Sequence, residues 1–262
     1  MRSLVATDLD GTLLRSDGTV SERTVRALEA LDERGVLVVF VTGRPIRWME
    51  KLWQHVGGHG LAICSNGGIV YDVAAGAVRS HRPIPVDVGR DVVERLRKEI
   101  PGTTFALERT TGFAKEPEYV ERFPLPPGAP VGPIVEVLDD STVKLLVRHE
   151  ELDAETFWAQ VEELVGDVVT TTWSSDSAMV EISGFGVTKA TTLALLADEH
   201  GLGPDNAVAF GDMPNDLPML EWAGTSYAMA NAHPTVLDLA DHVAPANDDD
   251  GVATVLERLY EL

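Results

Sequence analysis

The chain has 262 residues, of which 44% are hydrophobic and 24% charged, as in an ordinary globular protein. Acidic residues number 42 and basic residues 21, so the formal net charge is −21. This charge disfavours nucleic acid and anionic membrane surfaces as partners, and no apolar run is long enough to predict a membrane span. A single cysteine, Cys64, excludes an internal disulfide and is typical of a reducing cytoplasm, and no signal peptide fits before the first apolar run. We therefore expect a cytoplasmic protein, whose oligomeric state the composition leaves open.

The first third of the chain alternates between short apolar runs and amphipathic segments. Strands are predicted at 3–7, 36–41 and 61–65, with helices at 21–35 and 46–56 between them. This alternation indicates parallel strands joined by right-handed crossovers. Such sheets bind ligands beyond the carboxyl ends of their strands.

The composition changes at about residue 84, where prolines become frequent. In this middle part we predict a helix over 86–100, a strand over 142–148, a helix near 153–165, and strands over 168–173 and 178–183. After Gly186 the alternation of helix and strand resumes, with helices at 187–201, 217–223, 234–240 and 251–262 and strands at 207–210, 226–229 and 242–244. These patterns favour an α/β fold with a doubly wound, mostly parallel sheet, formed by 1–83 and 184–262, and an inserted α+β cap domain over 84–183.

Two aspartates follow the first predicted strand. Residues i and i+2 of a strand face the same way, so Asp8 and Asp10 would point together, and their charges would repel unless a cation lies near them. Asp212 follows another predicted strand, in the stretch GDMPND. Carboxylate oxygens are the ligands that Mg²⁺ prefers, so these three residues predict a magnesium site.

Two further motifs carry complementary groups. Thr42 and Gly43 follow the second predicted strand and offer neutral donors to phosphate oxygens, while Lys189 opens a helix and supplies a positive charge. Beside such groups Asp8 can attack phosphorus as a nucleophile, and Asp10 can protonate the leaving alcohol and later activate water. Taken alone, each motif has a structural explanation as a turn, a helix cap or a surface lysine. Their joint placement at strand ends favours the catalytic interpretation.

The chain resembles the haloacid dehalogenase superfamily in its four signature motifs, which read here DLDGT, TGR, GVTKA and GDMPND. It resembles the Cof-type phosphatases more specifically in the stretches ICSNGGIVYD, MANAHPTVLDLADHV and NDDDGV. The resemblance implies a Rossmann-like core with an α/β cap inserted between the second and third motifs. Two small departures, GVTKA where the family commonly has GVSKG and NGG where NGA is usual, remove no functional group.

The resemblance also implies a role for each motif residue. Asp8 would be the nucleophile and Asp10 the general acid and base. The Mg²⁺ ion would be held by the Asp8 side chain, the main-chain carbonyl of Asp10, and Asp212. The phosphate group would be bound by a larger set, namely the Leu9 amide, Thr42, Gly43, Lys189 and Asn215. Asp216 would brace the lysine or the metal-bound waters.

We therefore predict a Mg²⁺-dependent phosphomonoester hydrolase that acts on a small phosphorylated metabolite through an aspartyl-phosphate intermediate. A sugar phosphate is the first candidate, followed by a nucleotide or a cofactor phosphate such as a flavin or pyridoxal phosphate. Alternatives with similar chemistry are a dedicated disaccharide- or osmolyte-phosphate phosphatase and a phosphotransferase or mutase. A phospho-accepting signalling receiver is the alternative from another class, but receivers are usually about half this length and need no cap.

Other polar residues receive structural interpretations. We assign Asn66 to a turn that follows the third predicted strand, and we expect residues 247–250 to cap the last helix. His55 and His59 show no metal-ligand spacing because two glycines separate them. The stretch 108–119 is interpreted as a solvated loop.

Overall fold

The computed structural model describes residues 3–55, 60–173 and 178–262. It divides the chain into two compact units, of which unit 1 comprises Met1–Arg79 with Thr188–Leu262, and unit 2 comprises Ser80–Val187. The sequence-based boundaries, after residues 83 and 183, rest on composition, whereas these rest on contacts within each unit. The role of unit 2 as a cap stays a prediction.

Strands and helices are numbered in chain order. The strands are β1 Leu4–Thr7, β2 Leu37–Val41, β3 Leu61–Cys64, β4 Ile69–Asp72, β5 Ala77–His81, β6 Thr104–Arg109, β7 Gly112–Lys115, β8 Thr142–Arg148, β9 Val169–Thr172, β10 Met179–Gly184, β11 Ala207–Gly211, β12 Thr225–Met229 and β13 His242–Ala244. The helices are α1 Glu22–Glu33, α2 Val86–Glu99, α3 Ile134–Val137, α4 Ala154–Val165, α5 Lys189–Glu199, α6 Leu217–Trp222, α7 Pro234–Leu239 and α8 Gly251–Tyr260.

The large sheet has the strand order β13-β12-β11-β1-β2-β3-β4-β5. Neighbouring strands from β13 to β3 pair in parallel, whereas β4 pairs antiparallel with β3. Every residue of β1 and β2 is buried, as expected for parallel strands that are covered on both faces. The prediction of a mostly parallel α/β core is confirmed.

The order of the strands positions the polar motifs. Strand β1 lies between β2 and β11, with Thr7 opposite both Phe40 and Phe210. Because the three strands run in parallel, the residues that follow them leave the sheet at the same edge. Asp8, Thr42 and Asp212 are therefore brought to one edge by the pairing of the backbone.

Unit 2 contains a five-stranded sheet with the order β7-β6-β8-β10-β9, in which neighbouring strands pair antiparallel. One face of this sheet packs on an apolar core that includes Leu145 and Phe157 of α4. Successive residues of a strand face opposite ways, so Lys144 lies on the other face. There its Nζ donates to Oε1 of Glu181 at 2.6 Å, and both side chains are buried.

Most predicted elements are confirmed, and two are wrong. A helix is predicted over 46–56, but the described part, 46–55, forms two short helical turns, Ile46–Trp48 and Trp53–His55. The supposed loop over 108–119 contains most of the β6–β7 hairpin. Strands β4, β5, β6 and β7 and the short helix α3 were not predicted. His59 lies outside the described residues.

The N-termini of α1 and α8 differ, because a side chain caps α1 but not α8. The Ser21 hydroxyl accepts a hydrogen bond from the Thr24 amide at 3.0 Å and so caps the N-terminus of α1. As expected, residues 247–250 directly precede α8 and Asp250 is its N-cap residue, although the Asp250 side chain makes no hydrogen bond to the helix. Its carboxylate instead accepts from Arg15 at 2.8 Å. No helix in the described parts of the chain combines the length and apolar character needed to cross a bilayer.

Candidate functional site

Asp8 and Lys189 form a buried ion pair that joins the two segments of unit 1. Asp8 directly follows β1, and Lys189 is the first residue of α5. The Lys189 ammonium donates to Oδ1 of Asp8 at 2.6 Å, and its side chain is 1% exposed. The other oxygen of Asp8, Oδ2, accepts no hydrogen bond from any residue that the structure describes. One carboxylate oxygen is therefore fixed, and the other remains available.

Asp216 braces this pair from the opposite side. Its Oδ1 accepts a second hydrogen bond from Lys189 at 2.6 Å. Its Oδ2 accepts from the amides of Asp212 and Met213 at 3.0 and 3.1 Å. Because both oxygens of the fully buried carboxylate are engaged, Asp216 holds the lysine and the loop after β11 in one arrangement.

Asp212 lies in the same cluster and has one unengaged oxygen. Its Oδ1 accepts from the Thr12 hydroxyl at 3.0 Å. Its Oδ2 faces Gly11, where a Cβ atom would lie only 2.2 Å away. Gly11 also has a φ of +73°, a backbone conformation that favours glycine. The turn after β1 thus makes room for this carboxylate.

The donor set fits a divalent cation. One carboxylate oxygen each from Asp8, Asp212 and Asp216 lie within 4.8 Å of one another, and all three residues are buried. Three carboxylates face one ammonium, so two negative charges lack compensation within the cluster. Two oxygens, Oδ2 of Asp8 and Oδ2 of Asp212, are free of hydrogen bonds from the described residues. Hard oxygen donors with an excess charge of −2 suit a divalent metal ion.

The pKa values reflect this excess of negative charge. Burial raises the pKa of Asp8 well above the ordinary aspartate range, although Lys189 acts against the change. Burial and the charge of Asp216 raise the pKa of Asp212 to about 7. Burial would lower the pKa of Lys189, but the charges of Asp216 and Asp8 outweigh burial and raise it. The lysine therefore stays protonated.

A second group of side chains surrounds the turn after β2. The Thr42 hydroxyl oxygen accepts from the Arg44 amide at 3.0 Å. A Cβ atom on Gly43 would lie 3.0 Å from Oδ1 of Asn66, and this Asn66 oxygen accepts from Nδ2 of Asn215 at 3.2 Å. Oδ1 of Asn215 is buried and has no hydrogen-bond partner among the described residues. Thr42, Gly43 and Asn215 therefore lie in one polar neighbourhood that includes Asn66.

The Asp10 side chain forms its hydrogen bonds with Arg44 and not with Lys189. Its side chain is 59% exposed and is held by Arg44 in a two-point ion pair. Nε of Arg44 donates to Oδ2 of Asp10 at 2.7 Å, and Nη2 donates to Oδ1 at 2.5 Å. Strand β1 ends at Thr7, so the alternation of a strand, from which Asp8 and Asp10 were expected to point together, does not extend to these residues. Asp8 and Leu9 are buried, whereas Asp10 is partly exposed.

Three residues of this site were missed by the sequence analysis as functional candidates, namely Thr12, Arg44 and Asn66. Arg44 ends the quoted TGR motif and Thr12 ends DLDGT, so both were visible but received no role. Asn66 adopts a left-handed backbone conformation with φ of +56°, which agrees with the predicted turn. The turn explanation alone does not account for its buried side chain and its bond to Asn215.

Comparisons with known proteins match the whole chain. A family model for haloacid dehalogenase-like hydrolases matches residues 5–256. The Bacillus subtilis protein YitU, named 5-amino-6-(5-phospho-D-ribitylamino)uracil phosphatase, is 29% identical, and the match covers 99% of this chain and 98% of YitU. The Escherichia coli protein YbhA, named pyridoxal phosphate phosphatase, is 30% identical over 95% of this chain and 96% of YbhA.

A solved structure shows the same fold. BT1666 from Bacteroides thetaiotaomicron, described among phosphatases of the haloalkanoate (HAD) enzyme superfamily, superposes with a TM-score of 0.83 at 26% identity. The match covers 100% of this chain and 96% of BT1666. The similarity thus extends over both units.

Proposed function

The chain belongs to the haloacid dehalogenase-like hydrolase family, and on this basis we propose that it is a Mg²⁺-dependent phosphatase of small phosphorylated metabolites. The observation that carries the proposal is the bridge from Lys189 to Asp8 and Asp216, next to Asp212. This bridge fixes one oxygen of Asp8 and leaves the other without a partner among the described residues. A carboxylate held in this way is suited to nucleophilic attack on phosphorus.

In the first step, the free oxygen of Asp8 forms a bond to phosphorus while the bond from phosphorus to the ester oxygen breaks. Asp10 gives its proton to the departing oxygen, which leaves as an alcohol. The product on the enzyme is an aspartyl-phosphate on Asp8. Lys189, which stays charged at this position, stabilises the negative phosphoryl oxygens.

In the second step, Asp10 takes a proton from a water molecule as the water oxygen attacks phosphorus. The bond from phosphorus to the Asp8 oxygen breaks, so inorganic phosphate leaves and the Asp8 carboxylate is restored. Asp10 is protonated again and can serve the next cycle. The alternation of acid and base needs one carboxylate that reaches solvent, and the exposure of Asp10 agrees with this role.

The metal and phosphate sites follow from the same cluster. Asp8 and Asp212, with the Asp10 carbonyl, would hold Mg²⁺, which when bound supplies positive charge to the phosphoryl oxygens. Asp216 braces Lys189 rather than offering a free oxygen. The phosphate-binding groups in this proposal are the Leu9 amide, Thr42, Gly43, Lys189 and Asn215.

We assign the choice of leaving group to unit 2, acting as a cap. The names of YitU and YbhA give these relatives phosphorylated small molecules as substrates. A sugar phosphate remains the first candidate for this chain, with a cofactor phosphate such as pyridoxal phosphate second. The single cysteine and the net charge of −21 support a cytoplasmic protein that does not bind nucleic acid.

The test is phosphate release from a panel of phosphate esters with Mg²⁺, in the wild-type protein and in Asp8→Asn. We expect repeated turnover by the wild-type protein and a loss of nearly all activity in Asp8→Asn, which keeps the shape of the side chain but removes its nucleophilicity. Asp198→Asn, at an exposed position of α5, is the matched control and should retain full activity. Wild-type turnover in Asp8→Asn would refute the covalent mechanism.

Two outcomes would point to the alternative functions. A signalling receiver would accept one phosphoryl group per chain and then stop. A phosphotransferase would transfer the group to an added sugar faster than to water. Counting phosphate released per chain, with and without a sugar acceptor, separates these outcomes from hydrolysis.

A further inference from the structure

We propose that Arg44 is a positioning residue for Asp10, which it holds in the orientation needed for proton transfer to and from the leaving group. This inference rests on the proposed function, in which Asp10 is the general acid and base. It adds a residue to the site for which the motif analysis gave no role. The two residues come from the turns that follow β1 and β2.

The contact between Arg44 and Asp10 fixes the plane of the carboxylate. Nε and Nη2 of the guanidinium each donate to a different oxygen, at 2.7 and 2.5 Å. A planar guanidinium and a planar carboxylate bonded at two points share one orientation, whereas a single bond would let the carboxylate rotate. A carboxylate oxygen has two lone pairs, so each oxygen of Asp10 can still exchange a proton with substrate or water.

Arg44 is itself anchored at its main chain. Its amide donates to the Thr42 hydroxyl at 3.0 Å, and its carbonyl accepts from the Ser65 amide at 3.0 Å. Both bonds tie the arginine to the turn after β2 and to the residue after β3. The guanidinium therefore extends from a fixed point in the sheet edge, not from a loose surface loop.

Among the residues that the structure describes, Arg44 alone forms hydrogen bonds with the Asp10 side chain. No other described residue donates a hydrogen bond to its carboxylate, and the side chain is 59% exposed. A general acid must lie within hydrogen-bond reach of the leaving oxygen, and displacement by about 1 Å can reduce the rate by about 100-fold. Without Arg44, no hydrogen bond from the described residues would hold the Asp10 carboxylate in one rotamer.

The test compares two aryl esters of similar shape, phenyl phosphate and 4-nitrophenyl phosphate. The phenolate leaving group needs a proton from Asp10, whereas the nitrophenolate leaves readily without one. The measured quantity is kcat/KM, which reports the steps from substrate binding to departure of the alcohol and does not depend on the later attack by water. For Arg44→Met we expect a fall of about 10- to 100-fold on phenyl phosphate and of less than about threefold on 4-nitrophenyl phosphate.

Three further variants separate positioning from charge and from folding. Arg44→Lys keeps the charge but cannot form the two-point bond. Its kcat/KM should therefore fall on phenyl phosphate and change little on 4-nitrophenyl phosphate, as in Arg44→Met. Arg26→Met removes an exposed arginine of α1 and should leave both esters unaffected. In the Asp10→Asn background, adding Arg44→Met should cause no further loss on phenyl phosphate, because the group that it positions is already inactive.

The outcomes distinguish failure of this inference from failure of the proposed function. If wild-type protein hydrolyses both esters and Arg44→Met lowers both by the same factor, Arg44 does not position Asp10 and the inference is wrong. If Arg44→Lys kept the wild-type kcat/KM on both esters, the positive charge of residue 44 would be sufficient. The claim that the two-point hydrogen bond positions Asp10 would then be wrong. If the wild-type protein releases phosphate from no ester of the panel, or Asp8→Asn is active, the proposed function itself is contradicted.

Discussion

Gly11 and Asp212 approach each other so closely that no side chain fits between them. A Cβ atom on Gly11 would lie 2.2 Å from Oδ2 of Asp212, and the φ of +73° disfavours any other residue. We predict that Gly11→Ala displaces the Asp212 carboxylate and abolishes more than about 99% of phosphatase activity, since a misplacement of about 1 Å can cost 100-fold. The measurement is kcat/KM on the best ester of the panel.

Gly18 supplies the matched control for Gly11. It has a similar φ of +78°, but a Cβ atom at this position would meet no other group within 4 Å. Gly18→Ala should therefore carry a similar backbone penalty, on the order of 1 kcal/mol in the free energy of unfolding, and keep its activity. Equal activity loss in the two variants would show that backbone strain, and not the contact with Asp212, is responsible.

Lys189 compensates buried carboxylates, so its removal should affect stability as well as activity. Lys189→Met leaves Asp8 and Asp216 without their shared partner, and we predict a loss of about 3–5 kcal/mol in the free energy of unfolding without added metal. Mg²⁺ should recover part of this loss, because a bound cation stabilises the folded state. Denaturant unfolding with and without Mg²⁺ measures both effects.

The control for this variant is Lys51→Met, at an exposed position, where neither stability nor its response to Mg²⁺ should change. If Lys189→Met were as stable as the wild-type protein, the cluster would not depend on the lysine for its charge balance.

Asn66 combines a strained backbone with a buried side chain, and two substitutions separate these properties. Asn66→Gly relieves the strain of the left-handed backbone conformation but loses the hydrogen bond to Asn215. Asn66→Ala loses the same hydrogen bond and increases the backbone strain. We predict that both variants raise KM for the phosphate ester by about tenfold, the effect of about 1.4 kcal/mol. Asn66→Ala should lower the melting temperature more than Asn66→Gly, because it adds backbone strain to the loss of the hydrogen bond.

Steady-state kinetics together with thermal unfolding of the two Asn66 variants decide this point. If Asn66→Gly binds substrate as the wild-type protein does, the residue serves the turn alone and the side chain has no part in placing Asn215.

The buried pair of Lys144 and Glu181 makes a stability prediction for unit 2. Their side chains are 1% and 8% exposed, so Lys144→Met leaves a buried carboxylate without its lysine. We predict a loss of about 3–5 kcal/mol in the free energy of unfolding, of which Lys144→Met with Glu181→Leu recovers a large part. Lys98→Met removes a solvated pair with Glu99 and should have little effect. A double variant that is as unstable as the single one would contradict this account.

Strand-forming runs and helix starts could be predicted because they have a local cause. The run LVVFV is apolar at every position and becomes β2, and Ser21 begins α1 through a bond to its own helix. The prediction of one helix over 46–56 was wrong, because apolar residues three positions apart are compatible with short helical turns as well as with one continuous helix. Met49 and Leu52 are buried in either case, so their spacing did not discriminate.

The site was predictable where several motifs carried the same chemistry, and not where one residue acts through another. Asp8, Lys189 and Asp212 carry charges of opposite sign, and buried carboxylates need a nearby cation, so their proximity could be expected from the sequence. Arg44 and Asn66 act by contact with Asp10 and Asn215, which lie 34 and 149 positions away in the chain. No local pattern reports such a contact, so only the three-dimensional arrangement reveals it.

The central position of β1 has a consequence for synthesis of the protein. Its neighbour β11 and the lysine of α5 are translated only after all of unit 2, which is continuous in the chain and can assemble its own sheet. A nascent chain released before residue 189 would carry Asp8 without the ammonium of Lys189 and without the carboxylates of Asp212 and Asp216. The buried charge cluster can therefore form only after Lys189, Asp212 and Asp216 have been synthesised.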